Sequence, residues 1–538
     1  MSEAARILKR FEAVKQIRQP MEKPWLDCFN AAYPLRGKGF AGSNTAVGSQ
    51  EPQAAIMDGV TTESVRVLAS SIMSGMTPAN SRWFQMSVGS KQTEEEKRWL
   101  EAAAQCLFEN IHGANFDAEG YESIVDIVCA GWFCLYIDED RERGGLVFEQ
   151  WPLATVYTSS TRANGQIDTV FRDYELSAEQ AANEFGIDAL SENLKRLVQS
   201  APDARVKFLM LIEPRKMHLV GSKLAKNLPF RQIIIERESG NIVKESGYHE
   251  FPVVSPRWFK VPDTCLGIGP LSEALPDANA LNYVKKMHLA NADLAVAGMW
   301  IAEDDGVLNP RTVKIGPRKI IVANSVDSMK ALQPAGSWQL TQEEIKAAQA
   351  AIRKILMADQ LQAQDGPAMT ATEVHVRVQL IRQLLGPIYG RLQAEYLQPL
   401  IERCFGLAFR AGVFTQPPES LQGKTFTVRY ISPLARAAKL EDVTAIERAI
   451  QQTIALGQFD PSIYKRVDVQ ATIDLLVEAG GVPPVFLKKM ADFQIEMDQA
   501  QKQQAQAAQQ QTIADMATRA APNLVNQMAQ AGMPANAA

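Results

Sequence analysis

The sequence predicts an α+β protein that is mainly α-helical, and three observations lead to this fold class. Apolar residues recur at helical spacing through the first third of the chain and again after Pro270. Between residues 146 and 258, short runs of β-branched and aromatic residues alternate with turn residues, as is typical of strands. Hydrophobic residues make up 46% of the 538 positions and charged residues 22%, which is the composition of a folded globular chain.

The first third of the chain is predicted to be helical, with one short extended piece at 83–88. Its amino-terminal segment carries apolar residues on one side and charged residues on the other, which indicates a surface helix. Residues 37–53 are rich in Gly, Ser and Asn and predict a loop, and Thr77-Pro78 ends the helix after that loop. The predicted helices cover 3–18, 58–76, 94–111 and 121–134.

The middle of the chain is predicted to form short strands around one helical segment at 178–198. The strands are expected where Val, Ile, Phe and Tyr cluster between turn residues. They cover 146–151, 155–158, 167–174, 206–213, 231–236 and 248–254.

Two helices that bracket a small insert are predicted after Gly267-Ile268-Gly269-Pro270. The first helix starts or kinks at Pro276 and reaches about Val296. The second opens at Thr341, where Glu344 completes the spacing of a capping box, and continues to about residue 361. The insert between them, residues 300–338, contains several Gly and Pro residues and one β run at 319–323.

The last third of the chain begins with a long helical pattern and ends in a low-complexity tail. Thr370 and Glu373 repeat the capping spacing before apolar periodicity that runs to Phe409. Residues 425–431 alternate like a strand, and helical patterns return after Pro433, broken at Gly457 and Gly480. Residues 499–511 are almost entirely Gln, Ala and Lys, which favour helix but bury little surface, so this tail needs neighbours or frays.

Charge, cysteine usage and hydropathy exclude several classes of protein. Lys and Arg number 56 against 61 Asp and Glu, so no global positive charge exists to hold nucleic acid tightly. The six cysteines are scattered without a CxxC pair, which favours reduced thiols over zinc sites or disulfides. The longest apolar run, 124–137, is too short to cross a bilayer, so we expect a cytoplasmic chain without membrane insertion.

The sequence carries no convincing active-site motif. Residues 418–425 end like a phosphate-binding loop, but Pro418 replaces the first Gly and a predicted strand follows in place of a helix. Gly267-Ile268-Gly269 lacks the third Gly of a dinucleotide fingerprint.

The short acidic turns 138–140 and 303–305 are typical of solvated charge. The five histidines stand apart from other metal ligands, at His112, His218, His249, His288 and His375. We therefore expect no enzyme, no cofactor and no metal; a nucleotide hydrolase acting through 423–425 is the enzymatic alternative.

One long segment resembles a known family. Residues 370–412, TATEVHVRVQLIRQLLGPIYGRLQAEYLQPLIERCFGLAFRAG, resemble the hallmark segment of portal, or head-to-tail connector, proteins of short-tailed bacteriophages. The shared pattern is Thr-Ala-x-Glu, a Leu-Gly-Pro kink, Arg-Leu-Gln-x-Glu and Leu-x-Pro-Leu. Residues 57–61 resemble the amino-terminal block of that family, and Pro256-Arg257-Trp258 with 267–270 resembles its entry to the stem. The resemblance covers nearly the whole chain.

The resemblance implies a portal-type subunit with wing, stem, clip and crown that assembles into a ring, of twelve copies in this family, around a central channel. Double-stranded DNA passes through the channel during packaging and ejection. The implied regions are the wing (1–258), first stem helix (259–298), clip (299–339), second stem helix (340–361), tunnel loop (362–370), long kinked helix with a wing strand (371–432), crown (433–495) and Gln/Ala-rich tail (496–538).

The resemblance also implies where contacts are made. Short polar and flexible side chains of the tunnel loop are expected to touch the DNA backbone without reading sequence, and a basic run in the clip is expected to meet an acidic surface of the terminase or a tail adaptor. The tunnel-loop residues are Gln362, Gln364, Asp365 and Met369; the clip residues are Arg311, Lys314, Arg318 and Lys319; helix kinks are expected at Pro387 and Pro399.

The implied partners are further copies of the chain, DNA, the terminase large subunit, the major capsid and scaffold proteins, and tail adaptor and nozzle proteins. The terminase would supply the energy, which agrees with the missing phosphate-binding loop. The expected location is the capsid portal vertex of the virion, after assembly in the host cytoplasm. A helical head–tail adaptor or scaffold protein that forms no channel is the alternative.

Overall fold

The computed structural model describes most of the first 361 residues and parts of the remainder. The described residues are 2–40, 55–88, 93–140, 142–163, 165–219, 221–222, 224–297, 299–302, 329–332, 338–361, 386, 388–421, 427–430, 448 and 451–452. The chain divides into two units, Met1–Ala435 and Arg436–Ala538. The helices and strands below belong to the first unit, and their mixture of helix and sheet agrees with the predicted α+β class.

The first helix, α1 (Glu3–Ala32), is longer than its sequence pattern predicts. The side chain of Ser2 caps it by accepting a hydrogen bond from the Ala5 amide at 3.3 Å. The helix continues past residue 18 through Pro20 and Pro24, because Trp25 and Phe29 anchor its second half in the core. The prediction of a short surface helix was therefore wrong.

Three further helices form the rest of the amino-terminal block: α2 (Val60–Met76), α3 (Glu94–Gly113) and α4 (Phe116–Ala130). Thr93 and Glu96 form a capping box at the start of α3. The fourth helix ends four residues earlier than predicted, because Gly131 adopts a left-handed conformation with φ +88°. The residues after it leave the helix and enter a sheet.

The strand-rich middle forms two antiparallel sheets. Strands β2 (Leu135–Glu139), β3 (Leu146–Gln150) and β9 (Val253–Val254) make a three-stranded sheet in the order β3-β2-β9. The second sheet has the order β4-β5-β6-β7-β8. Its strands are β4 (Val156–Ser159), β5 (Thr169–Ser177), β6 (Arg205–Pro214), β7 (Phe230–Glu236) and β8 (Ile242–Tyr248). Each of the six predicted runs overlaps a strand, but β2 lies entirely outside these runs and β8 shares only Tyr248 with them.

The helical segment predicted at 178–198 is two helices, α5 (Ala178–Phe185) and α6 (Glu192–Ser200). Gly186 separates them with φ +80°, a conformation that ends α5. Side chains of Ser177 and Ser191 cap the two starts by accepting amide hydrogen bonds from Gln180 and Leu194.

Both helices predicted to bracket the insert are present, with different starts, whereas the β run predicted at 319–323 lies outside the described residues. A small ladder of β10 (Phe259–Lys260) and β11 (Gly267–Ile268) leads into α7 (Leu271–Ala297). Strands β12 (Met299–Ala302) and β13 (Met329–Leu332) pair, and α8 (Trp338–Ile355) and α9 (Ala358–Leu361) follow.

Neither predicted start signal marks a helix start. Pro276 lies inside α7 and is exposed. Proline has no N–H, so one carbonyl of the preceding turn lacks its helical hydrogen bond, and solvent can reach that carbonyl. Thr341 lies inside α8, which begins at Trp338, because a Thr and a Glu three residues apart fit a helix interior equally well.

The hallmark segment is described from residue 388, apart from the isolated residue 386. A π-helical turn, Gln393–Leu397, leads into α10 (Gln398–Arg410), and Gly412 follows with φ +72°. Strand β14 (Thr427–Tyr430) pairs antiparallel with β1 (Phe84–Ser87), so the strand predicted at 425–431 joins the amino-terminal block.

The core of the first unit is rich in aromatic residues and unpaired thiols. Five tryptophans are fully buried, at Trp25, Trp83, Trp132, Trp151 and Trp258. A second cluster packs Ile7 and Phe11 of α1 against the inner face of the five-stranded sheet. All six cysteines are free, four of them buried, and burial raises the pKa of the Cys404 thiol to about 12. Such thiols stay protonated at neutral pH and pack as small apolar groups.

Candidate functional site

Helices α7 and α8 form an antiparallel pair, which we name the helical hairpin (271–297 with 338–355). The two helices pack against each other, and the antiparallel β12–β13 ladder joins the end of α7 to the beginning of α8. The first half of α7 buries Leu271, Ala274, Ala278 and Leu281, and none of its residues from 282 to 293 is buried. The last turn of α8 buries Ile352, and Leu356, the first residue after α8, is buried as well. One end of the hairpin is therefore embedded in the core, and the other end projects from it.

The carboxylate of Asp58 connects α2 with the middle of the hairpin. Its Oδ1 accepts a hydrogen bond from the Val60 amide at 3.0 Å, at the start of α2. Its Oδ2 accepts a hydrogen bond from Gln349 Nε2 of α8 at 2.9 Å and lies 3.5 Å from Lys285 Nζ of α7. Because Asp58 is buried, one charged group joins three helices away from bulk water.

Close backbone packing holds the root of α7 against the end of α4. A Cβ atom on Gly267 would lie 2.3 Å from the Gly131 carbonyl oxygen, and one on Gly269 would lie 2.6 Å from the Val128 carbonyl oxygen. A Cβ atom on Gly131 would lie 2.0 Å from the carbonyl carbon of Ile268. The space that a phosphate would need beside these glycines is filled by α4, so the Gly-x-Gly pattern serves packing here.

Two segments of the sequence that resemble the family's motifs meet in the structure. The guanidinium of Arg257 donates to both carboxylate oxygens of Glu395, at 3.1 and 2.8 Å, and its backbone amide donates to the same side chain. Arg391 returns the contact by donating to the Trp258 carbonyl oxygen at 2.9 Å. Arg257 is buried, so this bidentate pair rigidly connects the segment before α7 to the π-helical turn of the hallmark segment.

A second buried arginine fixes α10 to the sheets. Arg403 donates to the Ile137 carbonyl oxygen, to Asp138 Oδ1 and to Glu250 Oε2, each at 3.2 Å. Arg410 donates to both oxygens of Glu250, at 2.5 and 2.7 Å. Asp138, in the acidic segment 138–140 whose charge the sequence predicted to be solvated, is thus a partner of Arg403. Within the part of the chain that the structure describes, no group of His, Cys, Asp and Glu is arranged to hold a metal ion.

Most contact residues predicted from the resemblance lie outside the described residues. This holds for the four tunnel-loop residues (Gln362, Gln364, Asp365 and Met369), the four clip residues (Arg311, Lys314, Arg318 and Lys319) and Pro387. Pro399 lies in the first turn of α10, directly after a π-helical turn in which the Gln398 amide bonds the Gln393 carbonyl oxygen. The kink expected at Pro399 stays a prediction.

The projecting part of the helical hairpin exposes apolar side chains that sequence reasoning missed. Tyr283 is 65% exposed and Met287 42% exposed. They are one turn apart on the side of α7 that faces away from the residues it buries, since Leu281 and Tyr283 differ by about 200° around a helix. Apolar periodicity taken over the whole of α7 does not separate these exposed residues from the buried ones, because the two sets lie on opposite sides of the helix. None of the described helices is long and apolar enough to cross a membrane.

Comparison with known proteins identifies the family to which the chain is similar. Residues 4–487 match the family model described as bacteriophage head to tail connecting protein. The chain is 26% identical to the portal protein of Salmonella phage epsilon15, covering 97% of this chain and 95% of that protein. It is 25% identical to the probable portal protein of Bordetella phage BPP-1, covering 68% of this chain and 67% of that protein. The resemblance predicted from the sequence is confirmed: the chain belongs to the family of bacteriophage head-to-tail connecting proteins.

Proposed function

We propose that this chain is the portal subunit of a short-tailed phage and forms a ring at one capsid vertex. Twelve copies surround a channel through which double-stranded DNA enters during packaging and leaves during ejection. The observation that carries the proposal is the similarity over residues 4–487, together with two relatives named as portal proteins. The protein is then a component of the virion, is assembled in the host cytoplasm and has no catalytic role.

The helical hairpin supports ring formation. Asp58 holds the middle of the hairpin and the glycine contacts with α4 hold its embedded end, so its direction relative to the rest of the unit is fixed. Its projecting end exposes Tyr283 and Met287, which copies of the same chain around an axis would cover. In this proposal α7 and α8 are the stem helices and the residues between β12 and β13 are the clip.

The charge of the chain supports sliding of DNA through the channel. A formal charge of −5 provides no global excess of Lys and Arg, and fewer neutralised phosphates mean weaker retention of a moving duplex. The tunnel loop at 362–370 then contacts the DNA backbone, and the clip docks the terminase first and tail proteins later. Capsid and scaffold proteins contact the wing.

The solution mass of the purified protein, with particle images of the same fraction, tests the proposal. The expected species has a mass of about 0.7 MDa, twelve times 59.3 kDa, and a central channel that admits a duplex. A monomer that also fails to form rings when co-expressed with its scaffold protein would favour the adaptor without a channel. Phosphate release from ATP by the pure protein would favour the nucleotide hydrolase.

A further inference from the structure

The connection between β6 and β7 carries exposed apolar residues that the fold leaves uncovered. We name residues 215–229 the β6–β7 arm. Met217 is 89% exposed, Leu219 64% and Leu224 59%, and Met217 is the most exposed of the large apolar side chains in the described part of the chain. A single exposed apolar residue is ordinary, but three within eight residues form a patch that calls for an explanation.

The same arm carries an unusual local charge. It contains four basic residues, Arg215, Lys216, Lys223 and Lys226, and no Asp or Glu, although acidic residues outnumber basic ones in the whole chain. Lys216 and Lys226 are exposed, and neither forms an ion pair with a described residue. Among the three basic residues of the arm that the structure describes, Arg215 is matched by Glu245 Oε1 at 3.3 Å. The exposed end of the arm therefore combines aliphatic side chains with the positive charge of Lys216 and Lys226, which no described residue neutralises.

Hydrogen bonds connect several described residues of the arm. The Leu219 amide donates to the Asn227 carbonyl oxygen at 3.0 Å, and Asn227 Nδ2 donates to Ser222 Oγ at 3.1 Å. The Arg215 guanidinium donates to the Lys226 carbonyl oxygen at 2.5 Å. Leu228 of the same arm is buried, in contrast to the three exposed apolar residues.

We propose that the β6–β7 arm is a docking surface for an acidic, amphipathic segment of another protein. Met217, Leu219 and Leu224 contact the apolar face of that segment, and Lys216 and Lys226 pair with carboxylates on its flanks. Charge complementarity favours an acidic partner, and the apolar side chains favour a protein segment over DNA, because a duplex backbone offers phosphates to the lysines but no apolar surface for three aliphatic side chains. The inference does not rest on ring formation and holds for the subunit by itself.

Binding of synthetic peptides to the full-length protein, measured by fluorescence anisotropy, tests the inference. The probe is an 18-residue helical peptide with Leu at positions i, i+3, i+4 and i+7 and Glu on both flanks. Two comparison probes are a peptide of the same composition with scrambled Leu positions and a 20-base-pair DNA duplex. We expect the amphipathic peptide to bind at least about tenfold more tightly than either comparison probe.

Two arm variants and two matched controls complete the experiment. Triple substitution Met217→Ser, Leu219→Ser, Leu224→Ser and double substitution Lys216→Glu, Lys226→Glu should each weaken binding at least about tenfold. Leu35→Ser with Ile187→Ser and Lys23→Glu with Lys38→Glu alter equally exposed residues elsewhere and should leave binding unchanged. The inference is overturned by no binding of the amphipathic peptide below about 1 mM, by equal loss in the controls, or by tighter binding of the scrambled peptide or the duplex.

Discussion

Asp58 and Glu213 show how single carboxylates join parts of the chain that are distant in sequence. Asp58 connects α2 with Gln349, which lies 291 positions later. Glu213, on β6, accepts hydrogen bonds from Arg10 of α1 at 2.6 Å and from Arg231 of β7. In both cases the carboxylate is largely buried and has more than one donor, which is the arrangement in which an ion pair contributes to stability.

Replacing Asp58 by Ala should lower the free energy of unfolding by about 1–3 kcal/mol. The substitution leaves the Val60 amide and Gln349 Nε2 without their acceptor at a buried position. Lys285→Ala is the matched control, because Lys285 is half-buried and lies 3.5 Å from Asp58; we expect it to cost less than about 1 kcal/mol. Thermal unfolding of the purified variants measures both effects. Equal losses would contradict the assignment of Asp58 as the central acceptor.

Glu213 should make stability depend on pH in a defined direction. Burial raises the pKa of this carboxyl, but hydrogen bonds from Arg10 and Arg231 outweigh burial and hold the pKa below its ordinary value of 4.5. Folding therefore favours the ionised form. The stabilisation is complete above about pH 4.5 and is lost as the pH falls through the lower pKa of the folded state.

The variant Glu213→Gln tests this dependence. We expect it to be less stable than the parent chain at pH 7, and the difference in unfolding temperature should shrink as the pH falls below about 4.5. Glu245→Gln is the control, because Glu245 forms a more exposed pair with Arg215. A difference that stays constant from pH 7 to pH 3 would contradict the role of the ionised Glu213.

At the scale of elements, local patterns predicted strands better than helix boundaries. Alternating and β-branched residues locate β6 and β7 to within two residues, because strand signals are local. The end of α1 was misjudged because burial of Trp25 and Phe29 overrides two helix-disfavouring prolines, and burial cannot be seen in the local pattern.

The glycines that end α4 and α5 offer a matched pair of substitutions. Gly131 and Gly186 both have positive φ, +88° and +80°, but a Cβ atom at Gly186 would meet nothing within 4 Å. Gly186→Ala should therefore cost only the conformational strain of a backbone with φ +80° and ψ +143°, about 1–3 kcal/mol. Gly131→Ala should cost more, because its Cβ would lie 2.0 Å from the Ile268 carbonyl carbon and push α4 from the root of α7. Thermal unfolding distinguishes the two; similar losses would contradict the packing argument.

At the scale of the whole molecule, the sequence predicted the family but not the contacts that connect its motifs. Residues 256–258 and 391–395 both resemble family motifs, yet nothing in one sequence indicates that Arg257 and Glu395 form a bidentate pair across 138 positions. Long-range pairing depends on the fold, whereas motifs depend on local spacing. The tunnel-loop and clip residues stay predictions, because their assignment rests on the resemblance alone.

Charge reversal in the clip tests the proposed docking role of that region. Replacing Arg311, Lys314, Arg318 and Lys319 together by Glu should abolish DNA packaging or tail attachment, because the new charges would repel an acidic partner surface. Ring formation, measured by solution mass, should be unchanged. The control reverses two exposed lysines elsewhere, Lys23 and Lys38. Unchanged packaging and tail attachment in the fourfold variant would contradict the docking role.

The pairing of β1 with β14 has a consequence for synthesis of the chain. Residues 84–87 find their partners only at 427–430, about 340 residues later. At roughly 5–20 residues per second, a ribosome leaves β1 without its ladder for roughly 20 to 70 s. The first unit cannot complete its fold until most of the polypeptide has emerged. Nascent chains on one messenger therefore expose the unpaired edge of β1 until β14 has been synthesised. A chaperone that covers such edges would raise the yield of subunits competent to assemble.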